Sequence, residues 1–155
     1  MPEKQTLDRA REDAREGKSP STQAGEFVRE EIHHIREGKH GAASTKQAIA
    51  IGLSKARRAG VKLRPPKERK TSSSTPQKAT RDYEEGQSHS YRKPSSARSR
   101  ARLNALKKEG KAAASHRSLS RQAKSASRKR GSSARHNAAT KASRTRAARR
   151  GQQRD

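Results

Sequence analysis

Glu30, His33, His34, Glu37 and His40 put five side chains able to hold a metal or move a proton into one short stretch of the sequence. His34 follows Glu30 by four residues and Glu37 follows His34 by three, so these three share one helical face, as ligands of a single ion must. The HExxH arrangement is absent, and no other part of the chain adds a ligand to the group. The chain has no cysteine, which excludes a disulfide framework, a thiolate zinc site and a thiol nucleophile. His89, His116 and His136 lie scattered in polar segments, and a Ser-His-Asp triad needs a rigid scaffold that this composition does not promise. The expectation is a solvated polar face, with no metal, no cofactor, no small-molecule substrate and no catalysis.

A second chemistry is suggested by Lys39-His40-Gly41-Ala42-Ala43-Ser44-Thr45-Lys46-Gln47. If a helix begins after Ser44, its free N–H groups, the Ser44 and Thr45 hydroxyls and the flanking Lys39 and Lys46 would suit a phosphate. The plain alternative is an ordinary N-cap beside solvated lysines. Neither glycine falls in a GxxxxGK[ST] spacing, so nucleotide hydrolysis is disfavoured. Lys55, Arg57 and Arg58 come late on the same helix, where they complement its C-terminal dipole or meet a backbone phosphate. The loop before this helix is longer than the turn of a helix-turn-helix reader, so base-specific reading is unsupported.

The charge pattern extends this phosphate chemistry along the chain. Of 155 residues, 40 are Lys or Arg and 15 are Asp or Glu, giving a net charge of +25. Residues 1–62 hold 13 basic and 9 acidic side chains, whereas residues 63–155 hold 27 and 6. The basic part is built of Ala/Arg/Lys/Ser blocks punctuated by Gly110, Gly131 and Gly151. The first block carries Arg98, Arg100, Arg102, Lys107 and Lys108, and the second Arg117, Arg121, Arg128, Lys129 and Arg130. The third carries Arg144, Arg146, Arg149 and Arg150. Such a polycation binds nucleic acid by releasing counterions from phosphates, strongly at low salt and with little regard to sequence. Phe27, Tyr83 and Tyr91 are the only aromatics, too few to form a stacking platform for single strands, so double-stranded DNA is the expected partner. Serines beside cations, as at Arg98-Ser99, Arg117-Ser118 and Lys124-Ser125, would weaken that binding if phosphorylated, although Ser is more simply a small solubilising spacer.

These residues must be positioned by elements that the sequence supports unevenly. Leu, Ile, Val and Phe together number 13, and 24 residues are Ala, a composition that places much of the chain among disordered proteins. Residues 3–16 read as an exposed charged helix stopped by Gly17 and anchored by Leu7 alone. After Ser19-Pro20-Ser21, a helix capped by Thr22 runs to about Glu37, with Val28, Ile32 and Ile35 on one face beside Ala24 and Phe27, and Gly38 ends it. Ser44 caps a third helix, Thr45–Ala59, whose inner stripe is Ala48 or Ile49, Gly52 or Leu53, and Ala56, with Gly60 closing it.

The expected architecture is a small all-α helical hairpin, residues 21–63, embedded in a mostly disordered, highly basic chain. Residues 1–20 form a charged N-terminal segment, 64–93 a Pro/Ser-rich linker without helical or strand period, and 94–155 the basic tail. Like charges at i, i+4, such as Arg98/Arg102 and Arg117/Arg121, oppose helix in the free tail, which is expected to become helical on nucleic acid. So small a core is expected to need self-association or a ligand, with exposed Glu26, Glu30, Glu31 and Glu37 serving protein contacts. No apolar run suits a signal peptide or a membrane span, and the expected location is the cytoplasm and its nucleoid.

The block STQAGEFVREEIHHIREGKHGAASTKQAIAIGLSKARRAGVKL, Ser21 to Leu63, resembles a family of short basic bacterial proteins whose signature is the KHG…STKQAIAIGLSKARRAG run. That family has no established function, and its members are described at most as candidate DNA-binding proteins. The tail is similar in composition to bacterial histone-like proteins and to the Lys/Ala-rich tails of linker histones. The resemblance implies a nucleoid-associated, histone-like role without assigning any site residue. The rivals are an RNA- or ribosome-associated protein, and a stress-related adaptor whose hairpin binds a protein partner.

Overall fold

The computed structural model describes residues 2–66, 74–88 and 95–152. Among these, seven α-helices and one 3-10 turn hold most of the chain, and no strand occurs. The expectation of a hairpin in a mostly disordered chain is therefore overturned. Helices occupy residues 74–87 of the segment read as linker and most of the described residues of the segment read as free tail. The described residues divide into two compact units, Met1–Ser115 and His116–Asp155. No helix among them is long and apolar enough to cross a membrane.

The first unit begins with α1 (Lys4–Arg15), α2 (Pro20–Glu37) and α3 (Thr45–Arg58). Ser19, not Thr22, caps α2, its hydroxyl accepting from Thr22 N, and Pro20 occupies the first turn, where its missing N–H costs no hydrogen bond. Ala24, Phe27, Ile32 and Ile35 line the buried face of α2, against Ala48, Gly52 and Ala56 of α3. The two helices come close enough at Gly52 that a Cβ there would lie 2.7 Å from Val28 Cα, so small residues set the spacing of the hairpin. α1 is held by more than Leu7, since Thr6, Ala10 and Asp13 are buried and Arg9 Nε reaches Glu26 Oε2 at 3.0 Å.

Two further pieces complete this unit. Helix α4 (Ser74–Gln87) lies within the stretch expected to lack helical period, and packs on α3 through Pro76, Ala79 and Gly86. Ser54 Oγ donates to Asp82 Oδ2 at 2.6 Å, and Gln87 Nε2 donates to the Gly60 carbonyl at 3.1 Å. Helix α5 (Ser96–Lys107) buries no side chain, but its last turn and the chain after it meet the α2–α3 loop. There Gly41 N donates to Leu106 O and Ala42 N to Gly110 O, and the 3-10 turn Ala112–Ala114 packs against α2 and α3. The hairpin faces that appeared to need a partner or ligand are thus covered in part by the same chain.

The second unit contains α6 (His116–Lys129) and α7 (Gly131–Gln152), and Gly131, the first residue of α7, is in the left-handed region at φ 78°. The tail that was expected to be disordered is thus helical over its described residues. Each like-charge pair opposes helix by only about 0.2–0.5 kcal/mol, which the helix preference of the many Ala, Arg, Lys and Gln residues offsets.

Candidate functional site

Several polar groups of the α2–α3 loop are engaged within the protein. Ser44 Oγ accepts from Gln47 N at 3.2 Å while Gln47 Oε1 accepts from Ala43 N at 2.7 Å, a reciprocal cap that satisfies donors at the start of α3. Thr45 is buried and donates its hydroxyl to Ala113 O at 2.6 Å. Arg57 is buried too, its Nε donating to Leu63 O, and burial pushes its guanidinium below the usual arginine range while Asp82 acts the other way. Arg58 Nε faces Asp82 at 3.7 Å, and Lys55 lies between Glu30 and Glu31. Lys39 is paired with Glu3 and Glu37, which together raise its ammonium above the usual lysine value, Glu37 contributing most. Of the residues expected to meet phosphate in this region, Lys39, Ser44 and Lys46 are exposed.

The histidine-glutamate segment also differs from its expected solvated face. Glu30 and Glu31 are 4% and 1% exposed, both turned inward toward Lys55 of α3. Lys55 Nζ lies 3.3 Å from Glu30 Oε1 and 2.7 Å from Glu31 Oε2, while Glu3 N donates to Glu30 Oε2 at 3.1 Å. Two buried carboxylates thus share one ammonium. On the other side of Glu31, His40 Nε2 lies 3.3 Å from Oε1, and His40 Nδ1 donates to the Gly41 carbonyl at 3.0 Å. Gly38, left-handed at φ 82°, ends α2 and turns the chain so that His40 comes back over the helix.

The group brought together is therefore Glu31, His34 and His40, with one ligand atom from each lying within 4.8 Å of the others. Glu30, His34 and Glu37, which share a helical face by spacing, do not form it. Glu31 and His34 are three residues apart on α2, a spacing equally compatible with one face, but His40 lies beyond the helix and no helical periodicity could place it. Glu3 of the segment before α1 accepts from His34 Nε2 at 2.9 Å, and that bond, with Lys39 beside it, holds the Glu3 carboxyl below the usual carboxylate range. A cleft of about 210 Å³ opens beside Glu3, Glu30 and His34.

In the second unit the cations are exposed and ordered by the helices. At about 100° per residue, Arg117, Arg121, Lys124 and Arg128 fall within an arc of about 60° on α6. Ser118, Leu119, Gln122 and Ala126 occupy the half-buried opposite side. Lys124, omitted from the expected contacts, completes the stripe, and its 4-3-4 spacing with Arg117, Arg121 and Arg128 was the signal. A shallow depression of about 420 Å³ runs along Arg121, Lys124, Arg128 and Lys129. Arg130, Arg144, Arg146 and Arg150 are exposed as well, while the side chain of Arg149 lies outside the described set. Residues 116–152 contain no carboxylate, so among the described residues of this unit these cations have no acidic partner.

On α5, Arg98 and Arg102 share one face and Arg100 and Lys107 the opposite one, all exposed, with Lys108 following. Phe27 is fully buried, and Tyr83 is half-buried on α4. Tyr91 and His89 lie outside the described residues.

These features define an all-α protein with a packed N-terminal helical unit and a strongly basic pair of C-terminal helices. Residues 15–70, which include α2 and α3, match a family described as "Family of unknown function (DUF6496)". No curated protein and no solved structure matches the chain.

Proposed function

We propose that this protein is a non-enzymatic, histone-like DNA-binding protein that associates with the nucleoid by neutralising backbone phosphates of the duplex. The observation that carries this reading is the α6 stripe, Arg117, Arg121, Lys124 and Arg128, in a unit whose residues 116–152 contain twelve Lys+Arg and no carboxylate. A helix presenting one cation per turn follows a phosphate-lined surface without reading base edges, so the binding is indifferent to sequence. The exposed cations of α5 and α7 add contacts of the same kind. Burial of Phe27 removes an aromatic on which an unpaired base would stack, which favours duplex over single strands.

The test is the salt dependence of binding. On duplex DNA, log K is expected to fall linearly with log salt, with a slope of about −0.9 for each phosphate contact. Replacing Arg117, Arg121, Lys124 and Arg128 together by Gln is expected to make that slope shallower by about 3 to 4. An unchanged slope would remove the α6 stripe from the interface. A structured RNA that outcompetes DNA of equal length would instead direct the same chemistry to RNA.

A further inference from the structure

We propose that Glu31, His34 and His40 form a binding site for a divalent transition-metal ion of the zinc class, separate from the basic helices. The first support is electrostatic. Glu30 and Glu31 are almost wholly buried around the single ammonium of Lys55, leaving one negative charge unbalanced. Lys55 Nζ and His40 Nε2 approach the two Glu31 oxygens, yet neither oxygen receives a well-directed hydrogen bond. A buried carboxylate in that condition is set to receive a cation.

The second support is the state of the imidazole. A carbonyl only accepts, so the Gly41 carbonyl fixes the His40 proton on Nδ1 and, in the neutral ring, leaves the Nε2 lone pair directed toward Glu31 Oε1. Two lone pairs opposed at 3.3 Å repel unless a positive species lies between them. A proton would satisfy these two groups. An ion also uses the third donor, since a His34 ring nitrogen belongs to the same 4.8 Å cluster.

Two imidazoles and one carboxylate match the donor set of a zinc site that keeps its fourth position for water. Of the three ligand residues, His34 lines the cleft that opens beside Glu3 and Glu30. Zinc bonds of about 2.0–2.2 Å require the three ligand atoms to draw closer together than they now stand, a movement within reach of side-chain rotation. The outer contacts are also those of a metal centre. Lys55 holds the far oxygen of Glu31, the Gly41 carbonyl orients His40, and Glu3 holds His34 Nε2. Bound there, the ion would tie the α2–α3 loop to α2.

The experiment is calorimetric titration of the full chain with Zn²⁺, beside His34→Ala, His40→Ala and, as a control on the exposed neighbour, His33→Ala. One ion per chain is expected for the unaltered protein and for His33→Ala, with affinity falling roughly 10- to 100-fold or more in each of the other two. Loss of affinity in His33→Ala equal to that in His40→Ala, or no saturable binding at all, would overturn the proposal. A measurement on the unaltered chain stands independently of whether variants fold. Added Co²⁺ is expected to give the intense visible absorption of a tetrahedral site and to be displaced by one equivalent of Zn²⁺, whereas only the weak spectrum of the hydrated ion would refute the site.

Discussion

Thr45 and Lys18 show how single side chains in this protein hold segments together. The Thr45 hydroxyl is buried and donates to Ala113 O at 2.6 Å, across 68 residues of sequence. Thr45→Val keeps the shape, removes the donor and leaves a carbonyl without its partner, so a loss of about 1–2 kcal/mol is expected in urea unfolding. Lys18 Nζ closes the turn after α1 with Asp13 at 2.6 Å and Glu16 at 2.7 Å, and these bonds, Asp13 foremost, raise its ammonium above the ordinary lysine value. A raised value means the stabilisation is fully present below the unfolded-state pKa and is lost as pH rises through the folded one. Thermal unfolding followed into the alkaline range is therefore expected to show a decline that is smaller in Lys18→Met, where the Lys39 contribution remains. Equal pH dependence in the two proteins would remove Lys18 from the account.

Helices α1 to α3 were legible because their ends carry specific chemistry. Ser44, Gly17, Gly38 and Gly60 mark boundaries, and the spacing of Phe27, Ile32 and Ile35 gives the inward face of α2. Helix α4 was not legible, because its buried face is Pro76, Ala79 and Gly86, small residues that leave no apolar period. The return of residues 105–115 was equally hidden, since much of it rests on backbone hydrogen bonds to Gly41 and Ala42. The polar cluster shows the same limit. Helical spacing linked Glu30, His34 and Glu37, whereas the observed group depends on a loop residue, His40, returned over the helix by Gly38. Close approach of small residues also yields a prediction for the α2–α3 pair. Although Ala favours helix over Gly by about 1 kcal/mol, Gly52→Ala places its Cβ against Val28 backbone, so net destabilisation of about 1–2 kcal/mol is expected by chemical denaturation.

At the scale of the whole molecule, the place where the chain is cut decides what a truncation can reveal. Ending it at Leu63 would remove α4 and the Ala112–Ala114 turn, both packed on the hairpin, and loss of any activity would then report unfolding. The division into Met1–Ser115 and His116–Asp155 supplies a better boundary. Residues 1–115 retain the helices that cover α2 and α3, and 14 carboxylates there answer 27 Lys+Arg. Residues 116–155 carry thirteen Lys+Arg and one Asp. The 1–115 fragment is therefore expected to unfold cooperatively, near the temperature of the corresponding transition in the full chain, while binding DNA more weakly and with a shallower salt slope. The 116–155 peptide is expected to show helical circular dichroism before DNA is added, because Ala-rich propensity exceeds the modest repulsion between its cations. A folded 1–115 fragment with undiminished affinity and slope would place the DNA contacts in the first unit and leave the basic helices without the role proposed for them.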